Sequence, residues 1–240
     1  MLIKLFIVTV FSFMGGVVQT VTGFGAGIIM MLAFPYFFDI TKAPALSQAV
    51  TMALSGSLAW KFRKKIDFKK TGIPTLIYVA VSQAAIYMIK YLDMDLIRLI
   101  YGLFLVALAV YYFIPKNKKE KPAGTAEMLI DTGVSGLASG FFGIGGPLMA
   151  VFYSGIFPLG EIYAANIQFT FFAGSIMSFA TRIMRGIYTK DLILYTVVGI
   201  TYITLGRELG LKITGKINGV MLKKIIYIFV AVSGIITVLK

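Results

Sequence analysis

The side chains that could do chemistry in this chain lie in and beside two glycine-rich interruptions of long apolar runs. The first reads Gly15-Gly16-Val-Val-Gln19-Thr20-Val-Thr22-Gly23-Phe24-Gly25-Ala26-Gly27. The second reads Ser135-Gly136-Leu-Ala-Ser139-Gly140-Phe-Phe-Gly143-Ile144-Gly145-Gly146-Pro147. Glycines this dense, with a proline behind the second set, are poor helix-interior chemistry. Each stretch is therefore expected to be unwound or re-entrant, with a short helix starting near Gly27 and Pro147. Backbone N–H groups freed by such a break, and the helix N-terminus behind it, suit an anion. The alternative, a small-residue packing face, accounts less well for two clusters in register, each interrupting an overlong run.

The next apolar run of each half carries polar residues at matched positions: Ser47, Gln48, Thr51, Ser55 and Ser57, then Asn166, Gln168, Thr170 and Ser175. Gln48, Thr51 and Ser55 share one helix face. Such residues either glue helices together or donate hydrogen bonds to a substrate. The candidate substrate-binding set is Gln19, Thr22, Gly23, Gly25, Gln48, Thr51, Ser55, Ser139, Gly143, Gly145, Gly146, Asn166, Gln168, Thr170 and Arg207. Arg207 follows Gly206 and precedes Glu208, so it either draws an anion to an outer mouth or pairs with its neighbour. Asp131 and Glu208 are the carboxylates that proton coupling would use.

Other chemistries are excluded. With no cysteine and no histidine, disulfides, thiolate catalysis and the commonest metal ligand are absent. No span holds paired carboxylates, which disfavours an enzyme. The G-x-G spacing has neither a preceding strand nor a following Gly-Lys-Ser/Thr, so it is no nucleotide loop. No cofactor and no metal are expected.

The elements that must hold these residues are membrane helices. Apolar residues make up 58% of the 240 and charged residues 14%, against about 25% charged in soluble domains. The charges fall between uncharged runs at Leu5–Phe38, Ala43–Trp60, Thr71–Ile89, Leu99–Pro115, Thr132–Gly160, Ile162–Thr181, Leu192–Gly206 and Ile225–Leu239. Most are long enough to span about 30 Å of hydrocarbon, and continuous apolar runs mean helices rather than barrel strands. The fold expected is all-α and polytopic, with about eight transmembrane helices. Leu5–Phe38 would measure roughly 50 Å as one straight helix, which is why its glycines must break it. The apolar run after Met1–Lys4 continues past the length of a signal peptide core, and no A-x-A-like cleavage site follows.

The net charge of +13 is read as loop anchoring by the positive-inside rule, not as nucleic-acid binding; the bilayer is the expected partner. With eight spans and both termini inside, the larger share of the basic residues falls in the cytoplasm. Lys4, the Lys61–Lys70 cluster, Lys116–Lys121, Arg182, Arg185, Lys190 and Lys240 lie inside, whereas Lys42, Lys90, Arg98 and Arg207–Lys224 lie outside.

A shift of 120 residues superposes the halves, matching Gly16 with Gly136, Gly23 with Gly143, Gly25 with Gly145, Gln48 with Gln168 and Ser55 with Ser175. The organisation expected is a first repeat over 1–115, a basic cytoplasmic linker over 116–125 and a second repeat over 126–240. Four spans per half would make the two repeats parallel, related by an axis along the membrane normal.

With both glycine motifs located, the chain resembles the TauE/SafE-type family of membrane anion exporters. The likeness rests on Gly16-x6-Gly23-Phe24-Gly25-Ala26-Gly27 with Pro35, on Gly136-x6-Gly143-Ile144-Gly145-Gly146-Pro147, on Ala45 and Ala165, and on Leu205-Gly206-Arg207. It covers essentially the whole chain. Pro147 stands where another Gly is common, and Gly155 replaces a counterpart of Pro35, which leaves the substrate open. The resemblance implies export of sulfite or a small organosulfur anion, bound between the halves, across a prokaryotic cell (inner) membrane. A channel-like anion pore and a permease for a different small anion stand as alternatives, and a homo-oligomer is one of the assemblies left open.

Overall fold

The computed structural model describes residues 1–113 and 124–214, together with 216 and 235. The final run expected at Ile225–Leu239, the basic residues Lys116–Lys121, Lys223, Lys224 and Lys240, and the linker up to residue 123 lie outside the described residues. Among those described, the chain is helical throughout, with no strand. In chain order the helices are α1 (Leu2–Thr22), α2 (Ala26–Met31), α3 (Phe34–Phe37), α4 (Lys42–Lys61), α5 (Phe68–Met88), α6 (Met94–Phe113), α7 (Thr125–Phe142), α8 (Gly146–Ile156), α9 (Glu161–Met184) and α10 (Ile193–Ile213). Among the described residues, three segments, Leu2–Thr22, Phe68–Tyr91 and Lys190–Ile213, are long and apolar enough to cross a membrane by length and composition.

The two glycine interruptions are helical hairpins, which is the re-entrant form of the break. In the first, α2 folds back along α1: Gly15 faces Ala26, the Ser12 hydroxyl meets the Met30 sulfur at 3.7 Å, and the Lys4 ammonium lies over the Phe38 ring. The chain thus returns to the end from which it started. In the second, Phe152 and Ile156 of α8 come back to a cavity shared with Thr125 and Met128 at the start of α7. The breaks are narrower than the glycine content suggests. Backbone irregularity is confined to residues 23–25 and 143–145, and Gly15, Gly16, Gly136 and Gly140 are helical residues used for packing.

That packing joins the halves by exchange. The most extensive contacts are α1 with α10, α5 with α7 and α4 with α9. A Cβ on Gly16 would collide with the Ile203 carbonyl, one on Gly206 with the Phe13 carbonyl, and one on Gly140 with the Ser82 carbonyl. Small residues let backbones approach this closely where lipid gives no hydrophobic incentive to associate. The residue order along these contacts shows that α1 and α10 run parallel, as do α5 and α7.

α4 and α9 run antiparallel, and this corrects the expected parallel repeats. Asn166 near the start of α9 bonds Asp67 just beyond the end of α4, Phe172 packs on Gly56 midway, and Arg182 near the end of α9 reaches Gln48 near the start of α4. Because α4 and α9 are matched by the 120-residue shift, the matched elements point in opposite directions. The miscount has a simple cause: a hairpin that returns to its own side adds no crossing. Lys4 and the Lys61–Lys70 cluster, expected on one side, accordingly lie at opposite ends of α4. One end holds Lys4, Phe38 and the Lys42–Asp191 ion pair; the other holds the Lys65–Glu161 pair.

Local signals fix the remaining ends. The Asp67 carboxylate accepts from the Lys69 and Lys70 amides at 3.1 and 3.2 Å, capping α5. Pro147 occupies the first turn of α8, where its missing N–H is no loss. The chain has no native cysteine, so single cysteines test the directions. Cysteines replacing the half-buried Lys42 and the exposed Glu161, each giving up one surface ion pair worth little stability, should react with an impermeant thiol reagent from opposite sides of the membrane. Labelling of both from one side would restore the parallel arrangement.

Candidate functional site

The site forms where the two hairpin tips meet. α1 ends because Gly23 turns left-handed at φ 87°, and α7 ends because Gly143 does the same at φ 69°. Only glycine adopts this cap without steric cost. Their N–H groups bond the Gln19 and Ser139 carbonyls at 2.8 and 2.9 Å. Thr22 stitches the first tip, its hydroxyl bridging the Val18 and Phe24 carbonyls at 2.9 and 2.7 Å. The tips then press together. A Cβ on Gly27 would strike the Gly143 carbonyl oxygen, and one on Gly146 would sit 3.0 Å from Phe24.

Around this junction runs a circuit of amides and hydroxyls. The Gln19 side-chain oxygen accepts from the Ala26 amide at 3.3 Å. Its nitrogen donates to Ser55 Oγ and Gln168 Oε1, both at 2.9 Å, and Gln168 Nε2 donates to the Gly23 carbonyl at 2.8 Å. On the other side, Gln48 Nε2 donates to the Ser139 carbonyl at 2.8 Å and to Ser139 Oγ at 3.3 Å. Tyr78 also donates its phenolic proton to Ser139 Oγ, at 2.8 Å. Arg182 Nε donates to Gln48 Oε1 at 3.2 Å, and its Nη2 to the Gly140 carbonyl.

A hydroxyl offers one proton and two lone pairs. Ser139 accepts twice and Ser55 once, and neither donates to a partner among the described residues. Both protons are therefore unspent at a shared cavity of about 40 Å³, room for a few water-sized groups. The cavity lining is neutral. Its polar surface consists of hydroxyls, amides and the glycine backbone at Gly145 and Gly146, where the first turn of α8 leaves N–H groups unused by its own ladder.

Of the residues singled out in sequence, Gln19, Gly25, Gln48, Thr51, Ser55, Ser139, Gly143, Gly145 and Gly146 line this cavity. Gln19 and Ser139 stand on the last turns of α1 and α7 rather than in unwound chain. Gln168, Thr22 and Gly23 lie one step behind, holding Gln19 and the first tip. Asn166 and Thr170 do not reach it. Asn166 ties α9 to the α4–α5 connection through the Asp67 amide at 2.8 Å and Thr71 at 2.6 Å. Thr170 bonds Thr75 and Tyr153, each at 2.7 Å. Arg207 pairs with Glu208 and does not line the cavity.

Tyr78, Phe171 and Ser175 also line it, as do Gly27, Ile28 and Ile144 at the tips, and Arg182 backs it through Gln48. Ser175 is readable as the match of Ser55. Tyr78 and Arg182 correspond to Val198 and Phe62 under the 120-residue shift, so the repeat carries no signal for them. Gln19→Leu should cost about 1–3 kcal/mol, because it strands the Ala26 amide and the Gln168 oxygen in a buried setting. Thr51→Val, which removes only bonds to carbonyls of its own helix, should cost less than about 0.5 kcal/mol. Thermal unfolding in detergent compares them, and equal losses would mean the circuit does not hold the tips.

No curated protein and no solved structure matches the chain. The family model described as sulfite exporter TauE/SafE does match, over residues 8–237. Since that match spans both hairpins and every element that lines their junction, the chain belongs to the TauE/SafE sulfite exporter family of membrane transporters.

Proposed function

We propose that this protein exports sulfite or a related small organosulfur anion, bound at the junction of the two hairpin tips. The observation that carries the reading is the neutral, donor-rich cavity in which Ser139 accepts twice and Ser55 once while both keep their protons free. An anion takes donors and repels acceptors, and a cavity of this size suits a compact oxyanion. Hydrogen bonds to charged acceptors are about twice as strong as neutral ones, so hydroxyl and glycine N–H donors suffice without a lining charge.

The exchanged contacts of α1 with α10 and α5 with α7, and the antiparallel crossing of α4 and α9, support two inverted repeats about an axis in the membrane plane. Each repeat contributes one hairpin and the spans that hold it. Alternating access then moves the repeats against each other around a fixed site. No nucleotide motif is present, and a negative interior expels a monoanion with about 2.3 kcal/mol per 100 mV, so facilitated export is physically sufficient.

The same geometry bears on orientation. The end of α4 at the Lys65–Glu161 pair carries Lys61, Arg63, Lys64, Lys65, Lys69 and Lys70. Such density marks the cytoplasmic side, which puts Lys4 on the opposite face of a cell membrane and reverses the N-terminal placement expected when the hairpin counted as a crossing.

Purified protein in liposomes should move sulfite with saturable kinetics. Ser139→Ala and Ser55→Ala, each deleting one donor, should weaken apparent affinity about three- to tenfold in the protein that folds. Each should also lower the melting temperature, because it strands a buried donor of Tyr78 or Gln19. Flux that rises linearly with concentration would favour a pore, and chemical conversion of sulfite would overturn transport altogether.

A further inference from the structure

Arg182 is fully buried, and no carboxylate lies against it among the described residues. Its Nε and Nη2 are spent on the neutral acceptors Gln48 Oε1 and the Gly140 carbonyl, while Nη1 has no hydrogen-bond partner. A buried unpaired charge is among the costliest features a fold can carry, and an ionisable group within a membrane bundle is by default a functional one. Arginine stays protonated, so the charge cannot be shed.

The guanidinium also dictates what the cavity presents. An arginine only donates, so Gln48 must turn its oxygen toward Arg182 and its NH2 toward Ser139. Both lone pairs of Ser139 are then filled by Gln48 and Tyr78, which leaves the serine proton facing inward. The other half needs no such cation, because Gln19 itself donates to Gln168 Oε1. Ser139, standing where Gln19 stands in the first half, has no amide with which to do so.

We propose that Arg182 is the fixed positive charge that makes this cavity select singly charged anions, acting through Gln48 as a positioning residue rather than by touching the substrate. The proposal rests on the reading of the junction as the anion site. One guanidinium balances one negative charge, so a monoanion such as hydrogen sulfite or a sulfonate neutralises the bundle, whereas a dianion overshoots.

The test uses the whole protein in detergent, with methanesulfonate as a fixed monoanion and sulfate as a fixed dianion, read as anion-induced shifts in melting temperature, which track binding to the folded state. Methanesulfonate should bind more tightly than sulfate. Arg182→Gln should weaken methanesulfonate about tenfold or more, with Arg182→Lys within about threefold of the native protein. A sulfate preference, or an unchanged affinity in Arg182→Gln, would overturn the proposal. A purely structural arginine would leave affinity and the monoanion preference intact in whatever protein still folds. If neither variant folds, Gln48→Glu decides through the anion response: a carboxylate that cancels the guanidinium charge should abolish the shift caused by methanesulfonate, and an unchanged shift would overturn the proposal. If the native protein answers to nitrate or chloride but to no sulfur anion, the proposed substrate fails while Arg182 is judged on that anion by the same variants. No response to any anion overturns both.

Discussion

Peptide groups released from a helix inside a bilayer have no water to turn to, and each costs several kcal/mol if left bare. In this protein two such breaks, at residues 23–25 and 143–145, cover one another. Gly27 lies against the Gly143 carbonyl and Gly146 against Phe24, while Gln19, Gln48 and Gln168 take up the exposed backbone groups at the tips. Everything else serves that meeting. α1 is held by α10 and α7 by α5 through glycine-to-carbonyl contacts, and the antiparallel α4 and α9 deliver the glutamines from both sides. An opening of the junction would expose both breaks at once, so the elements that hold it are bound to move as units rather than residue by residue.

Much of this was legible in the sequence. The glycine clusters located both tips, the 120-residue shift paired Gln48 with Gln168, and the uncharged runs gave the helices. What failed was direction. The composition of Leu5–Phe38 shows that the run is broken, but not whether the chain continues outward or doubles back, because a hairpin and an unwound span bury the same apolar residues. That one ambiguity decides whether α4 and α9 run parallel or antiparallel, and whether Lys4 and the Lys61–Lys70 cluster share one end of α4. Gly15, Gly16, Gly136 and Gly140 misled in a milder way: glycine density cannot separate residues that end a helix from residues that let two helices touch.

Tyr78 and Arg182 were hidden for a different reason. Repeat analysis finds what the halves share, and these two residues are where they differ. Ser139 cannot do for Gln48 what Gln19 does for Gln168, so a tyrosine and an arginine from other helices complete the second half of the circuit. Arg182 also looked like a loop anchor, since it lies beside Arg185 at the end of an apolar run. Only packing reveals that its helix continues to Met184 and turns it inward. The internal symmetry thus builds the scaffold, and the departures from it supply the charge.

The most direct measurement is an experimental structure of the protein soaked with selenite, an oxyanion of sulfite's shape whose selenium is located by anomalous scattering. The account predicts one selenium peak at the junction, with oxygens within hydrogen-bond distance of Ser139 and Ser55 and of the Gly145–Gly146 backbone. An empty junction, with selenium bound instead beside Arg207 or along the Lys61–Lys70 surface, would contradict it.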